Sequence, residues 1–138
     1  MRYLLLVLAL LGLAASSLAL REHYRPYGDS PCDINEHWDC GIVNHSPYAV
    51  IKGIPVATIG IAGYLLLGAL ALKRAYRLML AFAVPALAFS LYLARIEAHD
   101  LGVWCLYCVI SLGTISTMTV VLLGTAITSG LRKRKQSE

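Results

Sequence analysis

The sequence predicts an all-α integral membrane protein: a bundle of four transmembrane helices with one long extracytoplasmic loop that carries a short interfacial helix. Three observations lead there. Of 138 residues, 58% are hydrophobic and 14% charged, more apolar side chain than a soluble domain of this size can hide. The apolar residues gather in four runs, 3–20, 54–72, 78–94 and 103–127, each near the roughly 20 helical residues that cross a hydrocarbon core of about 30 Å. Hydrocarbon offers backbone amides no partners, so such runs are helical. The third observation is where the charges fall.

A net charge of +4 would suit a nucleic-acid surface, but the cations sort by membrane side and no nucleic-acid partner is expected. Arg2, Lys73, Arg74, Arg77, Arg132, Lys133, Arg134 and Lys135 fall at the amino terminus, between the second and third runs, or in a basic tail at 128–138. The remaining connections hold only Arg21, Arg25, Lys52 and Arg95. An even number of spans puts both termini on one face, and the cationic bias makes that face cytoplasmic. Glu22, Asp29, Asp33, Glu36, Asp39, Glu97 and Asp100 then lie outside, together with Cys32, Cys40, Cys105 and Cys108. That is the compartment where disulfides persist.

Taken in order, residues 3–20 also fit a secretory signal peptide with a Ser17-Leu18-Ala19 cleavage pattern. Removal would leave three spans and separate the first loop from the tail across the bilayer, whereas retention keeps the charge bias consistent. The segment is therefore read as the first helix of a single membrane domain, 1–138. Residues 21–53 form the polar loop, with turn chemistry at Asp29-Ser30-Pro31 and Asn44-His45-Ser46-Pro47. Ser46 before Pro47 reads as a helix N-cap, opening a short interfacial helix from Pro47 to about Lys52, with Trp38 and Tyr48 suited to that depth. In the second run Ala57, Gly60 and Gly63 recur three apart, a strip that lets helices approach closely. The third contains Pro85 and ends near Arg95. A short outer loop with Glu97, His99, Asp100 and Gly102 leads to Cys105-Leu106-Tyr107-Cys108 and the fourth run.

Two thiols three apart share one face of a helix, with Cβ atoms about 5–6 Å apart, close to what a disulfide needs. A helix beginning near Trp104 would place Cys105 in its first turn, where free N–H groups stabilise a thiolate. Four thiols allow three pairings. The local one joins Cys32 to Cys40 and Cys105 to Cys108; Cys40 with Cys105 is what exchange between the two pairs would transiently produce. Exchange needs pairs that can meet and one flexible partner, a part the loop can play. Other chemistries stay open: a structural staple at Cys32 and Cys40, or a zinc site drawing on His23, His37, His45 and His99. No metal is expected, because the Cys32 to Cys40 spacing is long for a zinc knuckle. His99 with Asp100 is a candidate source of protons, and Trp104, Tyr107, Tyr64 and Tyr92 are candidate pocket aromatics.

The order Cys32, seven residues, Cys40, Ser46, Gly53-Ile54-Pro55-Val56-Ala57 and Cys105-Leu106-Tyr107-Cys108 resembles the vitamin K epoxide reductase family over nearly the whole chain. The resemblance implies a four-helix membrane thiol oxidoreductase that binds a quinone, of the ubiquinone or menaquinone type, inside the bundle. It implies an extracytoplasmic thioredoxin-like partner, separate from this chain, whose electrons enter at Cys32. Cys40 would attack Cys105, Cys108 would face the quinone, and Ser46 would lie near the quinone pocket, for which Tyr107 is the leading candidate among the aromatics. The Gly53 to Ala57 run looks like the bacterial branch, which implies a cell inner membrane and support of disulfide formation. Reduction of a quinone epoxide in an endoplasmic reticulum membrane is the alternative, and a disulfide-stapled membrane scaffold without catalysis is the alternative of another class.

Overall fold

The computed structural model of the chain describes residues 1–26, 31 and 33–138. Four long helices make the bundle: α1 (Arg2–Tyr24), α3 (Val56–Leu72), α4 (Tyr76–Ile96) and α5 (Leu106–Ser137). A short α2 (Cys40–His45) and a hairpin of β1 (Val50–Ile51) with β2 (Ile54–Pro55) fill the connection between α1 and α3. Along α1 the buried positions are Leu5, Ala9, Gly12, Ala15, Ser16, Ala19 and Glu22, one stripe of mostly small side chains that ends in an acid. Leu4, Val7, Leu10 and Leu11 on its other faces are exposed. The same inversion holds at Leu65, Leu91, Val120, Leu123 and Ile127. Exposed apolar surface on this scale suits lipid contact. Three helical stretches are long and apolar enough to cross a membrane: α1, the run Tyr76–Leu101 and α5; α3 is apolar but shorter, at 17 residues.

α1 lies along α3 and α5, and α4 closes the bundle against α5 and α3. Their shared core is Leu5, Ala9, Tyr64, Leu67, Leu70, Ala71, Met79, Ala83, Ile115, Met118 and Leu122. The α1–α3 seam is close because it is built from small residues. A Cβ on Gly12 would fall inside the Tyr64 ring, and one on Gly60 would lie 2.7 Å from Ser16 Oγ. The hydroxyls in α5 are dealt with locally: those of Thr114, Ser116, Thr117, Thr119, Thr125 and Thr128 each donate to the carbonyl four residues earlier. That satisfies them in an apolar setting without a partner helix.

The structure moves several expected boundaries. α1 runs one turn beyond residue 20, to Tyr24. α4 keeps Pro85 inside it and passes directly into a π-helical turn, Glu97–Leu101, that ends at Gly102 with φ 70°. The expected outer loop at Glu97, His99 and Asp100 is therefore helical, and the chain turns only where a glycine allows the left-handed conformation. α5 begins at Leu106, later than expected, and continues through the basic segment to Ser137. The short helix expected from Pro47 to Lys52 is displaced. α2 precedes Pro47, Pro47–Ala49 is one 3-10 turn, and Val50–Ile51 is extended. The cause is local. Asp39 Oδ1 accepts the Ile42 N–H at 2.9 Å and caps α2, while Lys52 and Gly53, with φ 52° and 83°, form a two-residue turn that favours the hairpin. Ser46 caps nothing that follows it: its hydroxyl donates backwards to the Val43 carbonyl at 2.7 Å.

Candidate active site

Two short stretches from distant parts of the chain are tied side by side at one end of the bundle. Trp38 and Trp104 form an isolated parallel bridge. The Trp104 N–H donates to the His37 carbonyl at 2.7 Å, and the Asp39 N–H donates to the Trp104 carbonyl at 3.0 Å. Asn35 Oδ1 takes the N–H groups of His37 and Trp38, which sets the turn entering this bridge. Because Cys40 opens α2 just after the bridge and Cys105 follows Trp104, this pairing fixes the two cysteines relative to each other. The segment around Cys40 is therefore capped and helical, where an irregular loop was expected.

Cys40 and Cys105 are both fully buried, and their sulfurs lie 3.3 Å apart. A disulfide is about 2.05 Å long, so this is contact without a bond. Asn44 Nδ2 spans the pair, donating to the Cys40 carbonyl at 2.8 Å and reaching Cys105 Sγ at 3.5 Å. Cys105 and Cys108 are both free thiols. They do not share a helix face: Cys105 is the N-cap of α5, with φ −97° and ψ 122°, and Cys108 lies in the first turn. The expected position in the first turn is thus corrected to the N-cap, while the expected influence of the helix terminus is present: after the Cys108 side chain, the Cys108 N–H of the first turn is one of the groups that lower the Cys105 pKa. A hydrogen bond from the Cys108 side chain is the main influence holding the Cys105 thiol below its ordinary range, helped by the Asn44 amide and opposed by burial and by Glu97. The Cys105 N–H itself donates to Glu97 Oε2 at 3.1 Å.

Behind this cluster a cavity of about 330 Å³ opens between the long helices, a size that accommodates a small ligand. Cys108 and Glu97 are on its wall, and so are Ser46 and Tyr107. Ala57, Gly60 and Gly63 line it too, so the small residues of α3 make space as well as close packing. Phe82 and Phe89 of α4 and Leu112 of α5 supply apolar surface. Tyr64 borders the cavity while hydrogen-bonding Ser111 Oγ at 2.8 Å.

Of the residues singled out from sequence, Cys40, Cys105, Cys108, Ser46 and Tyr107 come together here. Cys32 lies outside the described residues, as do Asp29 and Ser30 of the expected turn. Trp104 and Tyr64 reach the cavity; Tyr92 does not, being exposed and stacked on Phe89. His99 and Asp100 are exposed and are not on the cavity wall. Among the described residues no group of three or more His, Cys, Asp or Glu could hold a metal ion. Asn44 and Glu97 are the site residues that sequence reasoning passed over. Arg95, two residues before Glu97, marks the end of the apolar run in the sequence and hides the burial of the acid that follows.

A search of curated proteins finds no match to this chain. Residues 3–123 match the vitamin K epoxide reductase family, whose members are membrane oxidoreductases that act on quinones and thiols and are associated with thioredoxin-like redox partners. The match runs from the start of α1 into the second half of α5 and takes in all four cysteines. The chain thus belongs to the vitamin K epoxide reductase family and is a multi-pass membrane oxidoreductase.

Proposed function

We propose that this protein takes electron pairs from a thioredoxin-like protein outside the cytoplasm and delivers them to a membrane quinone, so supporting disulfide formation. The observation that carries the reading is the 3.3 Å approach of Cys40 Sγ to Cys105 Sγ, beside a cavity with Cys108 on its wall. The partner's dithiol reduces a disulfide at Cys40 whose other half we assign to Cys32. The Cys40 thiolate attacks Cys105 of an oxidised Cys105–Cys108 pair and releases Cys108. Cys32 then attacks Cys40, regenerating the outer disulfide and freeing Cys105. The reduced pair passes two electrons and two protons to the quinone, becoming a disulfide again as hydroquinone leaves. Cys105 and Cys108 as free thiols with Cys40 still in contact is the arrangement just before that last step.

The proposed placement has α1, α3, α4 and α5 all crossing a cell inner membrane. Both termini are cytoplasmic and the cysteine end is outside, in keeping with the cationic bias of the chain. Ser46 and Tyr107 border the quinone. The test uses the purified chain in lipid nanodiscs with a reduced extracytoplasmic thioredoxin-like protein and ubiquinone-1. Partner thiols are expected to disappear in step with hydroquinone formation, and replacing Cys105 or Cys108 by Ala should return both to the protein-free rate. A reduced partner whose second cysteine is replaced by Ala should accumulate a mixed disulfide through Cys32, because its single thiol can open the outer disulfide and has no second thiol to release itself. Oxidation that ignores the quinone, or persists without Cys105 and Cys108, would overturn the reading.

A further inference from the structure

Two acids are buried, Glu22 and Glu97, and the thiol relay gives neither a task; Glu22 pairs with Arg25, while Glu97 stands at the dithiol. Its side chain is 4% exposed, and among the described residues it has no ion-pair partner. Its Oε2 accepts the Cys105 N–H at 3.1 Å, and it is on the cavity wall together with the Cys108 thiol, close enough for the two groups to influence each other's ionisation. It therefore bonds the backbone of one member of the dithiol, shares a cavity wall with the other, and borders the space where an acceptor would sit. The π-helical turn that begins at Glu97 gives this region a wider turn than an α-helix has. His99 and Asp100, on the same turn, are exposed.

We propose that Glu97 is the proton carrier between the Cys105–Cys108 dithiol and the quinone, an inference that rests on the thiol-to-quinone reading above. Oxidising a dithiol with a quinone moves two protons as well as two electrons, and a buried site has no bulk water to take them. The Cys108 thiol gives its proton to the Glu97 carboxylate, and the Cys108 thiolate forms a carbon–sulfur bond to the quinone ring. Glu97 delivers that proton to a quinone oxygen. Cys105 gives its own proton to the vacated carboxylate and attacks Cys108 sulfur. The carbon–sulfur bond breaks, its electron pair stays on the ring, and the Cys105–Cys108 disulfide forms. The second proton from Glu97 completes the hydroquinone. A carboxyl suits this because it can both accept and donate a proton in hydrogen-bond reach of the reacting atoms. An amide of the same shape could keep the bond to Cys105 N–H but could not carry a proton.

Other titratable groups face the same space. From α2 the group is Cys40, with His45 turned instead towards the Gly41 and Arg25 carbonyls. His23 of α1, Tyr48, Tyr64 and Tyr107 complete the cavity wall. Only His23 ordinarily titrates near neutrality, so it is the control.

The test follows menadione reduction by the full chain in nanodiscs, with dithiothreitol as reductant, over a pH series. Glu97→Gln should slow turnover by about a hundredfold and remove one limb of the pH profile, while menadione binding, read by tryptophan quenching, stays within twofold. Glu97→Asp should retain the limb at a reduced rate, and His23→Gln should retain it too. A Glu97→Gln protein with the unsubstituted rate and profile overturns the proposal, as does one that loses menadione binding along with rate. A limb that vanishes in His23→Gln also overturns it. Should the Gln variant not fold, infrared difference spectra of the unsubstituted protein, labelled with isotopic glutamate, decide. A carboxyl band must change between the reduced and menadione-oxidised states, and a silent carboxyl region rejects the role. Unsubstituted protein that never reduces menadione rejects the parent reading instead.

Discussion

The Cys105 thiol stands between two other sulfurs, in contact with Cys40 and hydrogen-bonded by Cys108. The Cys108 hydrogen bond favours the thiolate, so the pKa of Cys105 is lowered and more of it is ionised at neutral pH than for an ordinary thiol. In a Cys32→Ser, Cys40→Ser protein only two thiols remain, and the ultraviolet absorbance of thiolate should rise first at a pH below the usual range near about 8.5. Adding Cys108→Ala removes the main cause, and the remaining transition should move upwards; an unmoved transition would show that Cys108 does not set it. At this scale the sequence was most readable for residues with one kind of chemistry. Four cysteines declare themselves, and their order suggests a relay. Glu97 and Asn44 do not, because an acid near Arg95 and an amide in a polar segment look like surface residues until the helices carrying them are known to turn them inwards.

Between elements, the tightest seam is α1 against α3, where Gly12 leaves room for Tyr64 and the Tyr64 hydroxyl reaches Ser111 of α5. Gly12→Ala must push that ring aside in a packed core. A loss of about 1–3 kcal/mol is expected from such overpacking, seen as a lower unfolding temperature in detergent; an equal or higher temperature would mean the ring has slack. The long helices were legible because lipid demands continuous apolar runs. Their ends were not. α4 was expected to stop at Arg95 because polar residues follow, yet backbone bonding carries the helix on to Gly102. The short helix was placed after Pro47 from the Ser-Pro signal, whereas the Asp39 cap seven residues earlier prevails and the Lys52-Gly53 turn takes the residues beyond Ala49 into a hairpin. Two competing local signals within one segment are settled by packing, which composition does not reveal.

For the whole molecule, the arrangement is polarised along the helices. Cys40, Cys105 and Cys108 share one end with the cavity mouth, while Met1 meets Thr125 towards the other, where the basic stretch of α5 begins its run to Ser137. This polarity is legible in the amino-acid sequence, because the order of charges along the chain separates the cysteines from most of the cations. The cavity is not, since it comes from where Gly60, Gly63 and Ala57 of α3 fall relative to α4 and α5. In the proposed relay, electron transfer from the outer segment to the bundle depends on the meeting of Cys40 with Cys105, 65 residues apart in the chain, beside the Trp38–Trp104 bridge. The direct measurement uses the full chain with Cys32→Ser and Cys108→Ser, mildly oxidised in the membrane and digested without reduction. Mass spectrometry should find the Cys40 and Cys105 peptides joined in nearly all molecules; two sulfurs that stay free under conditions oxidising an exposed dithiol would contradict the relay.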